Sequence, residues 1–251
     1  MTDPTDSGSP RIETVDEIDS TNAEARRRAE RGEVGPLWIT AARQTAGRGR
    51  RGRNWETGAG NLAATLLTRT VKPPAEAAQV SFVAALATAD LAAAYVPPRL
   101  VSLKWPNDPL IDGWKTAGVL VESGPHPSGG LWLAVGIGVN LASPPELADR
   151  PATAFARHMR SAPPSPAEAL GVLAGRFEHW RALWEHEGFA PIAAAWTARA
   201  HGLGAPCTAR LPNESVSGVA EGLDPDGALR LRTAAGEVRR ITAGEVFFGT
   251  G

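Results

Sequence analysis

The chain has 251 residues, 26 Lys+Arg against 27 Asp+Glu, 43% hydrophobic residues and a single cysteine. That length fits one large domain, or one domain with a small appendage, and can bury a substantial core without disulfides or structural metals. A lone cysteine, Cys207, excludes an intrachain disulfide framework and a cysteine-rich zinc site; the near-zero charge balance excludes a protein that is basic throughout, such as a histone. Residues 1–10 are polar and acidic with no apolar segment, so they read as disordered and not as a signal peptide. Thr21-Asn22-Ala23-Glu24 has the form of a capping box, and the charged stretch after it stops at Gly32, which predicts a short helix. Leu37–Ala41 and Asn61–Thr68 read as strands on either side of a loop rich in Gly and Arg.

A long helix is predicted over 75–95, closed by Pro97-Pro98. It reaches membrane-spanning length, but Gln79, Ser81, Thr88 and Asp90 make it a buried helix and the protein soluble and cytoplasmic. Strands are expected over Val101–Lys104, Ala117–Glu122 and Leu131–Val139. Ser165-Pro166-Ala167-Glu168 combines an N-cap, a proline at the first helical position and a capping-box glutamate. The helix that follows carries Leu170, Leu173, Phe177, Trp180 and Trp184 as an apolar stripe, so its aromatics belong to the core. After a further helix ending near Ala200, short strands split by Gly and Asp predict a small barrel over 204–251, with Cys207 buried in it. The expected fold is α+β, with a mixed or antiparallel sheet and packed helices over 11–203.

The chemistry concentrates in four stretches. Gln44 to Trp55 contains Arg48, Arg50, Arg51 and Arg53 interleaved with Gly47, Gly49 and Gly52, and no acid appears between Glu33 and Glu56. Glycines let backbone N–H groups approach an anion, and guanidiniums add fixed charge with forked donors. Such a loop repels itself when empty and orders around a polyanion; by charge alone, a solvated basic loop or a nucleic-acid segment reads equally well. The others are Lys104-Trp105-Pro106-Asn107-Asp108, Lys115 to Glu122, and Gly136-Ile137-Gly138-Val139-Asn140. Arginine outnumbers lysine 23 to 3, so lysine retained at 104 and 115 marks places where a compact ammonium is needed. Trp105 and Trp132 read as core, and the five histidines show no metal-ligand spacing.

In this order, Ser20-Thr21-Asn22, Gly-Arg-Gly-Arg-Arg-Gly, Lys-Trp-Pro-Asn-Asp, Lys-Thr-Ala-Gly-Val-Leu and Asn140 resemble the biotin–protein ligase family over roughly residues 11–249. The resemblance implies a class II synthetase-like core, a C-terminal SH3-like domain and a two-step reaction. Biotin is activated by ATP with Mg²⁺ as biotinyl-5′-adenylate, then passed to a lysine of a biotin carboxyl carrier protein. It further implies that Ser20, Thr21 and Asn22 hold the ureido head of biotin. Gln44, Gly47, Arg48, Gly49 and Arg50 complete the biotin site, and Arg50, Arg51, Trp55, Asn107 and Asn140 serve the nucleotide. Lys115 bridges biotin carboxylate and α-phosphate, with Arg50 as its partner in catalysis, and Asp108 is placed near the metal. Ser20 lies too near the start for a preceding helix-turn-helix domain, so neither sequence-specific DNA binding nor membrane attachment is expected. A lipoate ligase or octanoyl transferase, and more remotely a nucleic-acid-binding module, are the competing readings.

Overall fold

The computed structural model describes residues 10–145 and 152–248. The predicted disorder at the N-terminus lies, apart from Pro10, outside the described residues. The central sheet has five strands in the order β1-β2-β3-β8-β7. They are β1 (Arg11–Ile18), β2 (Leu37–Gln44), β3 (Leu62–Thr70), β7 (Ala117–Pro125) and β8 (Leu131–Val139). β1 pairs parallel with β2 and the other neighbours are antiparallel, so the sheet is mixed, as expected. β1 was not expected. Its side chains are exposed or half-buried along its whole length, so this edge strand shows no apolar alternation.

Helix α1 (Thr21–Glu30) enters from β1. Ser20, not Thr21, is its N-cap, accepting from the Ala23 N–H. The capping-box reading was therefore one residue late. Glu24 instead pairs with Arg27 and Arg28, and the Thr21 side chain is left for other contacts. The long helix predicted over 75–95 is divided into α2 (Pro74–Ala77) and α3 (Val80–Tyr95). The stretch has the length and apolarity of a membrane span, but 67% of it is buried, and it forms the centre of the core. A small sheet, β4 (Val101–Lys104), β5 (Asp108–Ile111) and β6 (Trp114–Lys115), folds as successive hairpins. Helices α4 (Pro166–Glu187) and α5 (Phe189–Thr197) follow; α4 starts with the predicted Ser165/Glu168 capping box. Trp184 is buried, and Trp180 donates to Asp90 of α3 at 2.7 Å.

The C-terminal strands β9 (Pro206–Arg210), β10 (Ser215–Leu223), β11 (Leu229–Arg232), β12 (Val238–Ile241) and β13 (Glu245–Phe248) pair in the order β12-β11-β10-β9-β13. The expected barrel is corrected to an open antiparallel sheet, because no ladder joins β12 to β13 among the described residues. Cys207, Ala209, Leu231 and Val246 bury their side chains in the same continuous cluster as Phe82, Phe189 and Trp196. Helices thus cover the apolar face that barrel closure would otherwise have to bury. Ring contacts of Phe82 with Phe189 (5.2 Å) and Trp196 (5.7 Å) knit the helices under that face.

Candidate active site

The strand ends and the arginine loop enclose a cavity of about 410 Å³. Ser20, Thr21, Asn22, Gln44, Arg48, Gly49, Arg50, Trp55, Asp108, Lys115 and Asn140 all line it. Three expected residues do not: Gly47, Arg51 and Asn107. Gly47 is structural, since a Cβ there would stand 2.3 Å from the Trp55 carbonyl oxygen. Arg51, at φ 58°, turns away toward Glu245, and Arg53 lines the cavity instead. Asn107 is buried behind the wall, where it accepts from Arg50 Nη1 at 2.9 Å and donates to the Val119 carbonyl.

One part of the cavity is neutral and polar. Thr65, fully buried on β3, bonds Thr21 Oγ1 (2.8 Å) and Asn22 Oδ1 (2.7 Å). Asn22 Nδ2 donates to Glu122 Oε2 at 2.8 Å and to the Leu120 carbonyl at 3.3 Å. Gln44 Oε1 accepts from the Thr21 N–H at 2.9 Å, and its amine donates to Thr57 at 3.1 Å. These bonds fix the donors and acceptors at the start of α1. Gly136 on β8 makes room for them: a Cβ there would lie 2.1 Å from Asn22 Oδ1.

The other part is charged. Lys115 Nζ stands 2.6 Å from Asp108 Oδ1, and Lys104 Nζ stands 3.5 Å from Oδ2. Burial pushes the Asp108 carboxyl up, but Lys115, Lys104 and Arg50 outweigh it and hold the group below the usual carboxylate range. Burial also lowers Arg50, helped by repulsion from Arg51 and Arg53 and opposed by Asp108. A guanidinium nevertheless keeps its charge. The Trp55 ring lies against the paired glycines Gly118 and Gly138, where a Cβ on Gly138 would come within 2.2 Å of Cε2. Lys115 Nζ sits 5.9 Å from that ring's centroid.

A profile described as "Biotin/lipoate A/B protein ligase family" matches residues 15–141, about half of the chain, and one described as "Biotin protein ligase C terminal domain" matches residues 202–249. The chain is 46% identical over 243 residues to the biotin--[acetyl-CoA-carboxylase] ligase of Paracoccus denitrificans, covering 92% of this chain and 98% of that protein. This chain belongs to the biotin protein ligase family. It is also 32% identical to the corresponding ligase of Mycobacterium tuberculosis, over 96% of this chain and 90% of that one. The solved biotin protein ligase from Aquifex aeolicus in complex with biotin and ATP superposes with a TM-score of 0.80 at 25% identity. That match covers 96% of this chain and 99% of the other.

The ligase's site also depends on residues to which the motifs assigned no role in it. Glu122 ties the helix start to the arginine loop, accepting from Asn22 and pairing with Arg48 Nη2 at 3.5 Å. Glu245, the first residue of β13, pairs with Arg53 and reaches Arg51, while the Gly244 carbonyl just before it accepts from Arg50 at 3.3 Å. These acids offset the self-repulsion expected of the four clustered arginines. The loop closes on itself through Gly49 N–H to the Arg53 carbonyl (2.7 Å) and Trp55 N–H to the Gly47 carbonyl (2.9 Å). Trp105, read as core, is buried and also pegs this region to the C-terminal sheet by donating to the Gly227 carbonyl at 3.0 Å. Asn61 Oδ1 accepts the N–H groups of Leu141 (3.0 Å), Ala142 (2.9 Å) and Ser143 (3.3 Å), which fixes the chain as it leaves β8. Among the described residues no three His, Cys, Asp or Glu side chains gather as a metal cage.

Proposed function

We propose that the cavity activates biotin with ATP and passes it to the lysine of a biotin carboxyl carrier domain of an acyl-CoA carboxylase. The observation that carries this reading is one cavity with a neutral hydrogen-bonding wall at Ser20, Thr21 and Asn22 and a cationic wall at Arg48, Arg50 and Lys115. Biotin has an uncharged ureido head and a carboxylate tail, and needs both. In the first step the biotin carboxylate oxygen attacks the α-phosphorus of ATP; that O–P bond forms, the bond to the β-phosphate bridge breaks, and pyrophosphate leaves. In the second, the carrier amine attacks the acyl carbon, the C–N bond forms, AMP departs and the amine loses its proton. Two anions must meet in the first step, so fixed cations that need no reorganisation lower its barrier.

Lys115 is assigned to the junction of carboxylate and α-phosphate, with Asp108 holding the ammonium in place until substrate arrives. Arg48 and Arg50 cover the same junction from the loop. Trp55 offers a face to adenine, and Asn140 reads its edge. Arg51 and Asn107 act on the nucleotide side indirectly, by the placement of the loop. A magnesium ion carried in by the nucleotide needs few protein ligands, and Asp108 is the carboxylate assigned to it. Magnesium supplies charge neutralisation on the phosphates when bound.

Action in the cytoplasm, without sequence-specific DNA binding or membrane attachment, completes the proposal. A cationic cluster confined to a cavity of about 410 Å³ suits one small polyanion better than a duplex. The test is incubation with ATP, Mg²⁺, biotin and a carrier domain, followed by mass spectrometry of the carrier. Biotinylation of the acceptor lysine is expected, and its absence overturns the reading. Lipoate offered in place of biotin separates the runner-up: preferential lipoylation would move the chain to the other branch of the family.

A further inference from the structure

The segment Ala152–His158 straps two strands of the site together. The Thr153 N–H donates to the Lys115 carbonyl at 2.8 Å, and Lys115 pairs with Ala152 in a parallel bridge. The Thr153 carbonyl accepts from Asn140 Nδ2 at 3.0 Å. Asn140 is buried at the end of β8, its own N–H donating to the Thr116 carbonyl at 2.8 Å and its carbonyl accepting from Phe155 at 3.1 Å. One residue therefore grips both Lys115 and Asn140, which come from separate elements. Thr153 is 4% exposed, and its hydroxyl shares a 2.8 Å hydrogen bond with Nε2 of the half-buried His158.

We infer that Thr153, held by His158, is a positioning residue that sets which face of the Asn140 carboxamide the nucleotide meets. A backbone carbonyl accepts hydrogen bonds and repels another oxygen, so it takes one N–H of the Asn140 amine and fixes which end of the carboxamide is nitrogen and which oxygen. What the carboxamide then offers a ligand in the cavity it lines is its oxygen, an acceptor. An acceptor suits the 6-amino group of adenine and opposes the 6-oxo group of guanine. The inference rests on the assignment of Asn140 to the base. It explains how a histidine outside every motif bears on substrate choice: the His158 ring fixes the Thr153 rotamer, and with it the strap.

The test compares kcat/KM for ATP with that for purine riboside 5′-triphosphate, which lacks only the 6-amino group. One hydrogen bond read by an oriented acceptor should favour ATP by roughly tenfold to a hundredfold in the parent enzyme. Thr153→Val, which keeps the side chain's shape but unties the strap from His158 and so loosens the carbonyl that holds Asn140, should shrink that preference to within about threefold, mainly through the KM for ATP. Thr153→Ser should restore it. His158→Ala removes the same link from the less buried side, and should shrink the preference even where Thr153→Val does not fold. A variant that loses activity with both nucleotides equally, preserving their ratio, overturns the inference and leaves the strap a structural brace. A parent enzyme that does not discriminate overturns the Asn140 assignment itself, an outcome distinguishable from the first because it appears before any substitution is made.

Discussion

Gly136→Ala probes the biotin end of the cavity through space alone, because the residue's backbone is ordinary extended strand. The new Cβ would stand 2.1 Å from Asn22 Oδ1 and 2.9 Å from its Cγ. A carbon and an oxygen rest about 3.3 Å apart or more, so the carboxamide must retreat by about 1.2 Å. It has little freedom to do so, being only 4% exposed and bonded to Thr65 at 2.7 Å and Glu122 at 2.8 Å. Giving up two such bonds at about 1 kcal/mol each costs roughly 2 kcal/mol. If biotin binding bears that loss, Kd rises roughly 30-fold. Isothermal titration with biotin reads this, alongside Gly175→Ala on α4, where an added Cβ meets nothing within 4 Å. The control should bind biotin as the parent does and gain about 0.5–1 kcal/mol of stability. A folded Gly136→Ala enzyme with unchanged biotin affinity refutes the placement of the ureido head at Asn22.

Three other outcomes are expected. Gly138→Ala drives the Trp55 ring off its glycine seat, since the Cβ would fall 2.2 Å from Cε2; KM for ATP should rise about tenfold while biotin Kd stays within about threefold. Asn61→Ala removes the acceptor shared by three N–H groups, of which only that of Leu141 belongs to a buried residue, and should cost about 1–2 kcal/mol in urea unfolding; Asn61→Asp should recover only part of this, because it keeps the acceptor but loses the donor to the Ser143 carbonyl. Asp108 is more acidic folded than unfolded, so the unfolded chain binds the extra proton. Its contribution to stability is complete above about pH 4 and is lost as pH falls through the lowered value. The stability difference between the parent and Asp108→Asn should therefore narrow on acidification below about pH 4, as read by denaturant titration; a constant difference contradicts the carboxylate's placement between two lysines.

The readable part of this site is the part carried by local chemistry. Glycines alternating with arginines, a lysine opening a strand and a proline-led capping box announce themselves within a few neighbours. Eleven of the fourteen site residues expected from the motifs line the cavity for that reason. The missing parts are partners across the fold. Thr65 meets Asn22 43 residues away, and Gly244 meets Arg50 194 residues away; neither is distinctive in its own neighbourhood. Glu245 and Thr153 are invisible in sequence for the same reason, and Glu122, though it closes one of the four stretches, has its partners Asn22 and Arg48 across the fold. The sheet stays open where a barrel is expected because short strands with sharp turns specify antiparallel pairing but not closure, and the covering helices lie outside the segment. β1 was missed because an edge strand with wet side chains has no hydrophobic period to detect.

The first chemical step is isolated by biotin-dependent exchange of pyrophosphate into ATP, without a carrier. The parent enzyme should exchange only when biotin is present. Lys115→Ala should lose exchange by about a hundredfold or more while retaining its fold by circular dichroism and its Asn22-dependent grip on biotin. Exchange at the parental rate in Lys115→Ala would contradict the assignment of this lysine to the junction of carboxylate and α-phosphate.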